Sequence, residues 1–507
     1  MSDNPPGARA APTCIGVVGD GQVGLTAAIV LRRSYPRSDV VLIAAPLDPA
    51  ALADTAITSW PSSLGFHDSF GFDEAGLILR AGASHRLATR FADWCGAGRD
   101  WVLAYGAAPN PAMRVRCGDD GPGDSALQRL NASLDAAGPQ TVVQALAASG
   151  RFAMPVDNPE SPLSDIDYAL RWNGPAYRSR LASLARHMGV RHVTAGLSEL
   201  AYAGDGSLTA VTCEDGSTIV AEWWLDCSGP AARLRAAASE PEFESWADML
   251  PVDRLLVDDG KASPALSLED RVLACENGWA WQVFGRDAAH ASFGYASELT
   301  SDAAAAASFK RACGASAVGK IVLRPGRLRA AWAGNVIAIA DAAASFEPLH
   351  GLNLHLAHRQ LGLLLELLPA RDIDPRERDE YNRRAALLAD GVRDWIAAHY
   401  CSPVPRPGAF WHHAGTQRRS DALSGALQQF GARGRIPHFE DAPVGQDGWA
   451  AVLAGIGAGP GRSALLAARD PAQRIVQQAA LAGRCRAALA LARPYPEWLS
   501  ARLANPQ

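Results

Sequence analysis

The sequence lacks any C-x-x-C pair; its 9 cysteines lie scattered between Cys14 and Cys485. An odd number of isolated cysteines in a long chain excludes a disulfide framework or a zinc cage and fits a reducing cytoplasm. No metal is expected. No apolar run reaches the roughly 18 residues that a bilayer requires. Residues 1–12 have neither a basic start nor an apolar core, so no secretory signal is expected there, and no membrane partner. This Pro- and Ala-rich stretch is expected to be disordered. An excess of positive charge is also missing: the formal net charge is -5 and the pI about 6.2. That balance excludes a dedicated nucleic-acid or anionic-membrane binder. Beyond an Ala-rich segment at 303–307 there is no repeat and no low-complexity tract.

What is present is a globular composition, 48% hydrophobic and 20% charged. A chain of 507 residues calls for two or three packed subdomains. The 14 tryptophans fit aromatic-lined pockets, cores or interfaces. Residues 14–18 form a short apolar strand that runs into Gly19-Asp20-Gly21-Gln22-Val23-Gly24. A helix is predicted over 25–31 and a β-branched strand over 39–44. This strand–turn–helix–strand unit predicts a parallel sheet. Helices are predicted at 73–80 and 175–188, and strands at 85–94, 101–105 and 191–194. Residues 109–124 predict a loop. Segments 208–214 and 217–225 predict a hairpin around Asp215-Gly216. Segments 271–284 and 291–295 predict antiparallel strands, and 335–340 a buried strand ending at Asp341. Helices dominate after Leu352, at 352–368, 375–400, 420–433 and 464–492. The fold class is α/β: a Rossmann-like parallel sheet interleaved with an antiparallel β platform over 13–350, then a helical region over 351–507.

The glycines carry the first chemical signal. Gly19 permits a tight turn, Gly21 lets backbone approach a pyrophosphate, and Gly24 lets helix pack on strand; the helix dipole then faces the negative charge. Gly19, Gly21, Gln22, Val23 and Gly24 are therefore candidate dinucleotide-binding residues. The acidic residue that should end the second strand and bind a ribose is missing, since that strand ends Ile43-Ala44-Ala45, and neither Asp39 nor Asp48 is well placed. A second signal lies at Ala338-Ile339-Ala340-Asp341-Ala342-Ala343, a strand ending in an acid before small residues. Flavoprotein hydroxylases place such an Asp on the ribityl chain, while an Asp capping a helix is the plainer reading. Together the two signals favour FAD over NAD.

Several segments then resemble one family. Gly278-Trp279-Ala280-Trp281-Gln282-Val283-Phe284 is similar to the G-W-x-W-x-I-P signature of flavin-dependent tryptophan halogenases. Asp226-Cys227-Ser228-Gly229 resembles their D-C-[ST]-G segment, and Phe346-Glu347-Pro348-Leu349 their F-x-P-L turn. Arg324-Pro325-Gly326-Arg327 with Trp332, and Asp379-Glu380-Tyr381-Asn382, resemble two further stretches in the same order. The resemblance covers roughly 14–440. It implies FAD, reduced by a separate flavin reductase, and dioxygen. It also implies a halide oxidised to hypohalous acid, a relay lysine and glutamate, and a small electron-rich aromatic substrate. Two tryptophans are then expected to wall the flavin from the substrate, here Trp279 and Trp281 with Phe284.

The departures fall on the chemistry. The relay lysine is replaced by Arg86, within Ala83-Ser84-His85-Arg86-Leu87-Ala88-Thr89-Arg90-Phe91. A guanidinium stays protonated and is a poor nucleophile; an ion-paired strand-end arginine is the plain alternative. The P-L-E-S-T-[GS] segment reads Pro348-Leu349-His350-Gly351-Leu352-Asn353, which puts His350 at the glutamate and Leu352 at the halide-binding hydroxyl. His350 can accept or deliver a proton near neutral pH, or merely cap a helix. Glu347 is a further candidate acid, and Leu352 and Asn353 candidate cofactor contacts. The loop G-V-G-E-A-T-I-P is replaced by Leu52-Ala53-Asp54-Thr55-Ala56-Ile57, in which Thr55 and Ala56 are candidate flavin contacts. Leu25 and Phe284 replace a family tryptophan and proline. His355, His358, His412 and His413 are read as structural.

Three functions remain open: a halogenase with a modified relay, an FAD-dependent monooxygenase that has lost halide chemistry, and an inactive flavin- or substrate-binding homologue. A homodimer is compatible with the family. The segment 109–167 and the helical region are expected to line the substrate pocket.

Overall fold

The structure, a computed structural model, describes residues 9–96, 98–106, 141–238, 242–260, 266–404, 406–433, 436–459 and 471–505. The expected loop at 109–124 and residues 1–8 of the expected disordered start lie outside the described residues. The chain divides into two compact units, each assembled from three segments: residues 1–73, 174–247 and 323–390 in one, and residues 74–173, 248–322 and 391–507 in the other.

The first unit is built on a six-stranded sheet. Its order is Trp332–Ala333, Val336–Ala338, Trp223–Asp226, β1 (Cys14–Val18), β2 (Asp39–Ile43) and Arg191–Val193. All neighbours run parallel except the first pair. Ile15, Val17, Val18 and Val40 to Ile43 are at most 1% exposed. Their near-continuous apolar runs are what a parallel sheet covered on both faces demands. Gly16 is required by packing, because a Cβ there would lie 2.1 Å from the Trp224 ring of the adjoining strand. The turn and α1 (Gln22–Ser34) follow β1, as the glycine spacing predicts. The carboxyl ends of Val18, Ile43, Asp226 and Ala338 thus gather at one edge of the sheet, the usual ligand edge of such folds.

One expectation fails here. Residues 217–225 do not form one hairpin arm. Thr218–Ile219 pairs antiparallel with Leu208–Cys213, but Trp223–Asp226 leaves to pair in parallel with β1. Two fully buried tryptophans, Trp223 and Trp224, draw the second half into the central sheet.

The second unit carries a seven-stranded sheet ordered Gly319–Val322, Arg254–Val257, Ala289–Tyr295, Gly278–Phe284, Glu269–Cys275, Ala88–Ala92 and Trp101–Ala104. The expected strand at 85–94 splits at Leu87. Ser84–Arg86 pairs with Ala169–Arg171, whereas Ala88–Ala92 joins the large sheet. The expected strand at 271–284 is a hairpin closed between Cys275 and Gly278. In register, Asp270 lies beside Thr89, Val272 beside both Phe91 and Trp281, and Ala274 beside Trp279. These residues therefore share one face. Most tryptophans serve the core; Trp101 stacks on Phe91 at 4.0 Å, and Trp94 donates to His399 O at 2.8 Å.

The helices Leu352–Leu367, Pro375–Ala398, Asp421–Arg433 and Pro471–Leu491 match the apolar periodicity. Three shorter helices, Ala409–Thr416, Gln446–Gly455 and Tyr495–Ala504, were not predicted; each is too short for periodicity to register. Among the described residues no helix is long and apolar enough to cross a membrane.

Candidate active site

The glycine turn is held on both sides by backbone. Gly19 N donates to Ile43 O at 2.9 Å, and Cys227 N to Val18 O at 2.8 Å. Gly19 sits at φ +108°, a conformation open to glycine, and a Cβ there would lie 2.2 Å from Cys227 O. At Gly24 a Cβ would lie 1.7 Å from Gly19 O, so this glycine is dictated by the tight contact of helix and turn. Gly21 is the N-cap of α1, and its side chain's place is taken by the carboxyl group of Asp54, 2.3 Å from the ideal Cβ position. Asp54 Oδ1 accepts from Val23 N at 2.8 Å. Gln22 spends its amide on the same loop, donating to Ala53 O, Asp54 O and Ala56 O at 2.8–2.9 Å. Thr55 is exposed. Burial pushes Asp54 up to about 6, opposed by the Val23 amide.

No acid closes the second strand. Asp39 opens β2 and is exposed, and Asp48 caps its own turn through Ala50 N at 2.8 Å. Two other acids lie at the sheet edge. Asp226 is fully satisfied by Ser228 N and Oγ, Leu234 N and Arg235 N. Its D-C-S-G segment thus works as a helix cap. Asp341 differs. Its Oδ2 accepts from Ala53 N at 2.7 Å, while the buried Oδ1 has no donor among the described residues. Burial pushes its carboxyl up to about 8, and the neighbouring Asp54 adds to the rise. The expected strand into Asp341 ends at Ala338, and Ala340–Ala342 forms a single 3-10 turn. Ala340 sits at φ +57°, held by Ala340 N donating to Gln360 Oε1 at 2.7 Å.

His350 is also in the left-handed region, at φ +66°, followed by Gly351 at φ +74°. A non-glycine residue here carries strain of the kind that gathers at functional sites. His350 is fully buried, its ring edge-on to Trp60 at 6.0 Å. Glu347 and Leu352 are fully buried as well, and Asn353 Nδ2 donates to Phe346 O at 3.1 Å. His355 and His358 keep histidine company that spacing did not reveal. His358 lies 5.4 Å from His67, and Trp60 contacts His355 as well as His350. His355 faces Ser62 at 3.3 Å and His358 faces Ser63 at 3.1 Å. No group of His, Cys, Asp or Glu among the described residues could hold a metal ion.

In the second unit, Arg86 is wholly buried and donates to Asp270 Oδ2 at 2.7 Å. Arg171 donates to Asp270 Oδ1 at 2.7 Å and to the carbonyls of His85, Ser267 and Phe284. One carboxylate thus serves two buried guanidiniums, with Tyr105 5.1 Å beneath Arg86. Trp279 Nε1 donates to Tyr400 Oη at 2.9 Å; Trp281 Nε1, also buried, finds no acceptor among the described residues. Gly294 leaves room for the Trp279 ring, 2.9 Å from its ideal Cβ position.

The sequence model of the tryptophan halogenase family matches residues 14–471. The chain belongs to the tryptophan halogenase family. It is 25% identical over 336 residues to tryptophan 6-halogenase SttH of Streptomyces toxytricini, covering 64% of each chain. It is 26% identical over 274 residues to the 7-chloro-L-tryptophan 6-halogenase KtzR of Kutzneria sp., covering 52% of this chain and 53% of that one. The matched stretches thus span less than two thirds of these family relatives. In fold it is similar to BrvH, a flavin-dependent halogenase from Brevundimonas sp. BAL3, with a TM-score of 0.86 and 24% identity over 97% of this chain and 99% of that one. Within this family fold, the residues of the first unit fit a flavin nucleotide on two observations. Backbone crowds Gly19 and Gly24 as a tight phosphate turn requires, and the buried Asp341 Oδ1 is an acceptor with no donor among the described residues.

Sequence reasoning missed Asp54, Asp270, Arg171 and His67. Asp54 was within reach, as the acid of the segment replacing G-V-G-E-A-T-I-P. Asp270 and Arg171 were not, since Arg86 meets an acid 184 residues away.

Proposed function

We propose that this chain is an FAD-dependent oxidoreductase acting on a small electron-rich aromatic compound, with dioxygen and with flavin reduced by a separate flavin reductase. Halogenation is the outcome to which family membership points. The observation that carries this reading is the glycine turn with the waiting Asp341 acceptor, in a chain matched by the family model over residues 14–471. Reduced flavin, when bound, supplies the electrons that activate dioxygen. The amides at the start of α1, with Gly19, Gly21 and Gly24, would hold its diphosphate. Asp341 would take a ribityl hydroxyl, which satisfies a buried acceptor that is costly to leave alone.

The remaining roles belong to this chain's own side chains. Arg86 offers a fixed positive charge and N–H donors but no nucleophile, because its guanidinium stays protonated. His350, in its strained backbone, is the proposed proton carrier, with Glu347 as the second acid. Leu352 and Asn353 would form the floor against the cofactor. Trp279 and Trp281 provide the aromatic surface of the platform, while Phe284, an odd step along the same strand, lies on its other face. A cytoplasmic location and a homodimer belong to the same reading.

The test is turnover with a flavin reductase, NADH, oxygen and bromide on a panel of indoles, phenols and pyrroles, read by mass spectrometry. Brominated product supports the reading. Hydroxylated product would select a monooxygenase, which the Arg86–Asp270 pair and the apolar Leu352 favour. Loss of all flavin on purification together with no turnover would sink both.

A further inference from the structure

The space that a second glycine clears for a phosphate is already occupied by this chain. Asp54 lays its carboxyl group across Gly21 and accepts the Val23 amide at 2.8 Å. That amide belongs to the second residue of α1, within the set that binds phosphate at helix starts. The occupant is not a stray side chain. Gln22 clamps the carbonyls of residues 53, 54 and 56, and Asp54 N donates to Ala51 O at 3.0 Å. The Ala53 amide is in turn fastened to Asp341. Removing Asp54 from the turn therefore reaches the acceptor proposed for the ribityl chain.

The surrounding charges make the occupancy matter. Asp54 is faced by Asp20 from the turn, by Asp341 from the 3-10 segment and by the Cys227 thiol at the end of Trp223–Asp226. The cation facing it is Arg178, from the helix Gly174–His187, and Arg178 also serves Asp20 at 3.4 Å. His192 lies on the far side of Asp20, 3.4 Å from its carboxylate. A diphosphate arriving here would add two negative charges beside three carboxyl groups.

We propose that Asp54 is a resident substitute for the flavin's phosphate, holding its amide in the free protein, and that FAD binds by displacing or neutralising this carboxylate. This rests on the flavin reading above. The sign of the pH effect follows. Asp54 titrates near 6 in the free protein, so it is ionised at pH 8.5 and half protonated near pH 6. A ligand that prefers the protonated or displaced carboxyl binds more tightly as pH falls through that value. The diphosphate itself stays ionised across this range and contributes no such trend. Asp341, titrating near 8, adds a trend of the same sign, so substitution of Asp54 is needed to separate the two.

The experiment is an equilibrium titration of the full chain with FAD, followed by flavin fluorescence anisotropy at pH 6.0 and 8.5. It compares the parent protein with Asp54→Asn and Asp54→Ala, with far-UV circular dichroism confirming the fold. The parent is expected to bind about fivefold more tightly at pH 6.0 than at pH 8.5, since a one-unit coupled shift is only partly expressed where Asp54 is half protonated. At pH 8.5 Asp54→Ala is expected to gain about tenfold in affinity and to lose most of the pH dependence. Asp54→Asn, neutral and of equal size, should gain in the same direction and carries the test if the alanine variant does not fold. Variants that bind FAD no better than the parent at pH 8.5, with the parent's pH profile, would overturn the role of Asp54 and leave the flavin reading standing. Absence of binding by every form at both pH values would overturn the two together.

Discussion

Asp341 and Asp270 are both buried acids, and the two units treat them in opposite ways. Asp341 takes the Ala53 amide on Oδ2, has no partner for Oδ1 among the described residues and is driven toward its neutral form by burial. Asp270 is spent: each of its oxygens holds a guanidinium. The shared carboxylate ties Arg86 and Arg171 in place and leaves Arg86 little freedom, although the buried Arg171 Nη2 has no acceptor among the described residues. An unsatisfied acid costs the first unit stability and leaves it able to bind. The first unit thus holds an acid with unused hydrogen-bonding capacity, whereas the second ties Arg86 into an internal ion pair.

The comparison breaks most visibly at Asp270. Asp270→Asn strands two buried guanidiniums and is expected to cost about 3–5 kcal/mol in urea unfolding; a loss below about 1 kcal/mol would mean that Arg86 is free to act elsewhere. Asp341→Asn should behave conversely. Flavin affinity is expected to fall about threefold at neutral pH, where the carboxyl is largely neutral and one ordinary hydrogen bond is weakened. Stability should hold or rise at high pH. The sign is set by a folded value near 8 above an unfolded value of about 4. The ionisation penalty is absent below about pH 4, grows from there and is complete above about pH 8, so removing the carboxylate helps increasingly as pH rises through that window.

The buried histidines sharpen the contrast at acid pH. Burial lowers His399 in the second unit to about 4 and pushes His358 in the first well down, with His67 and His355 adding to the latter. Both must stay neutral when folded. Each is expected to cost about 1.4 kcal/mol per pH unit as pH falls below about 6.5, the ordinary histidine value. Urea unfolding at pH 7, 6 and 5 measures this slope, and His399→Gln should reduce it by one proton. The smallest effect is expected for Arg86→Lys, which keeps the charge beside Asp270 but gives up the planar fork, at about 1 kcal/mol or less. Combined with His350→Glu, it should raise the brominated share of product. No change in product distribution would show that the relay position is not what directs the chemistry. Lysine is scarce in the whole sequence, which holds only Lys261, Lys310 and Lys320, so the arginine is in keeping with the chain's composition.

Legibility followed sequence separation. The β1–turn–α1–β2 unit, the long C-terminal helices and the candidate positions Gly19, Gly21, Gly24 and Asp341 all show in local pattern. Strand 85–94 was misread as one piece because nothing local marks Leu87 as the point where the chain changes sheets. The hairpin arm 217–225 failed for the same reason: its apolar residues suit either sheet, and only the partners decide.

Short-range constraints, namely periodicity, turn chemistry and the steric demands on glycine, were enough to announce a nucleotide-binding α/β chain, and the resemblance of its motifs added the family. Tertiary contact alone decided what its charged side chains do. Arg86 meets Asp270, Asp54 comes to lie on the start of α1, and His67 joins His358, because sheet pairing and helix packing bring remote segments together. Electrostatic roles depend on distance and burial in space, and neither quantity is written in the order of residues.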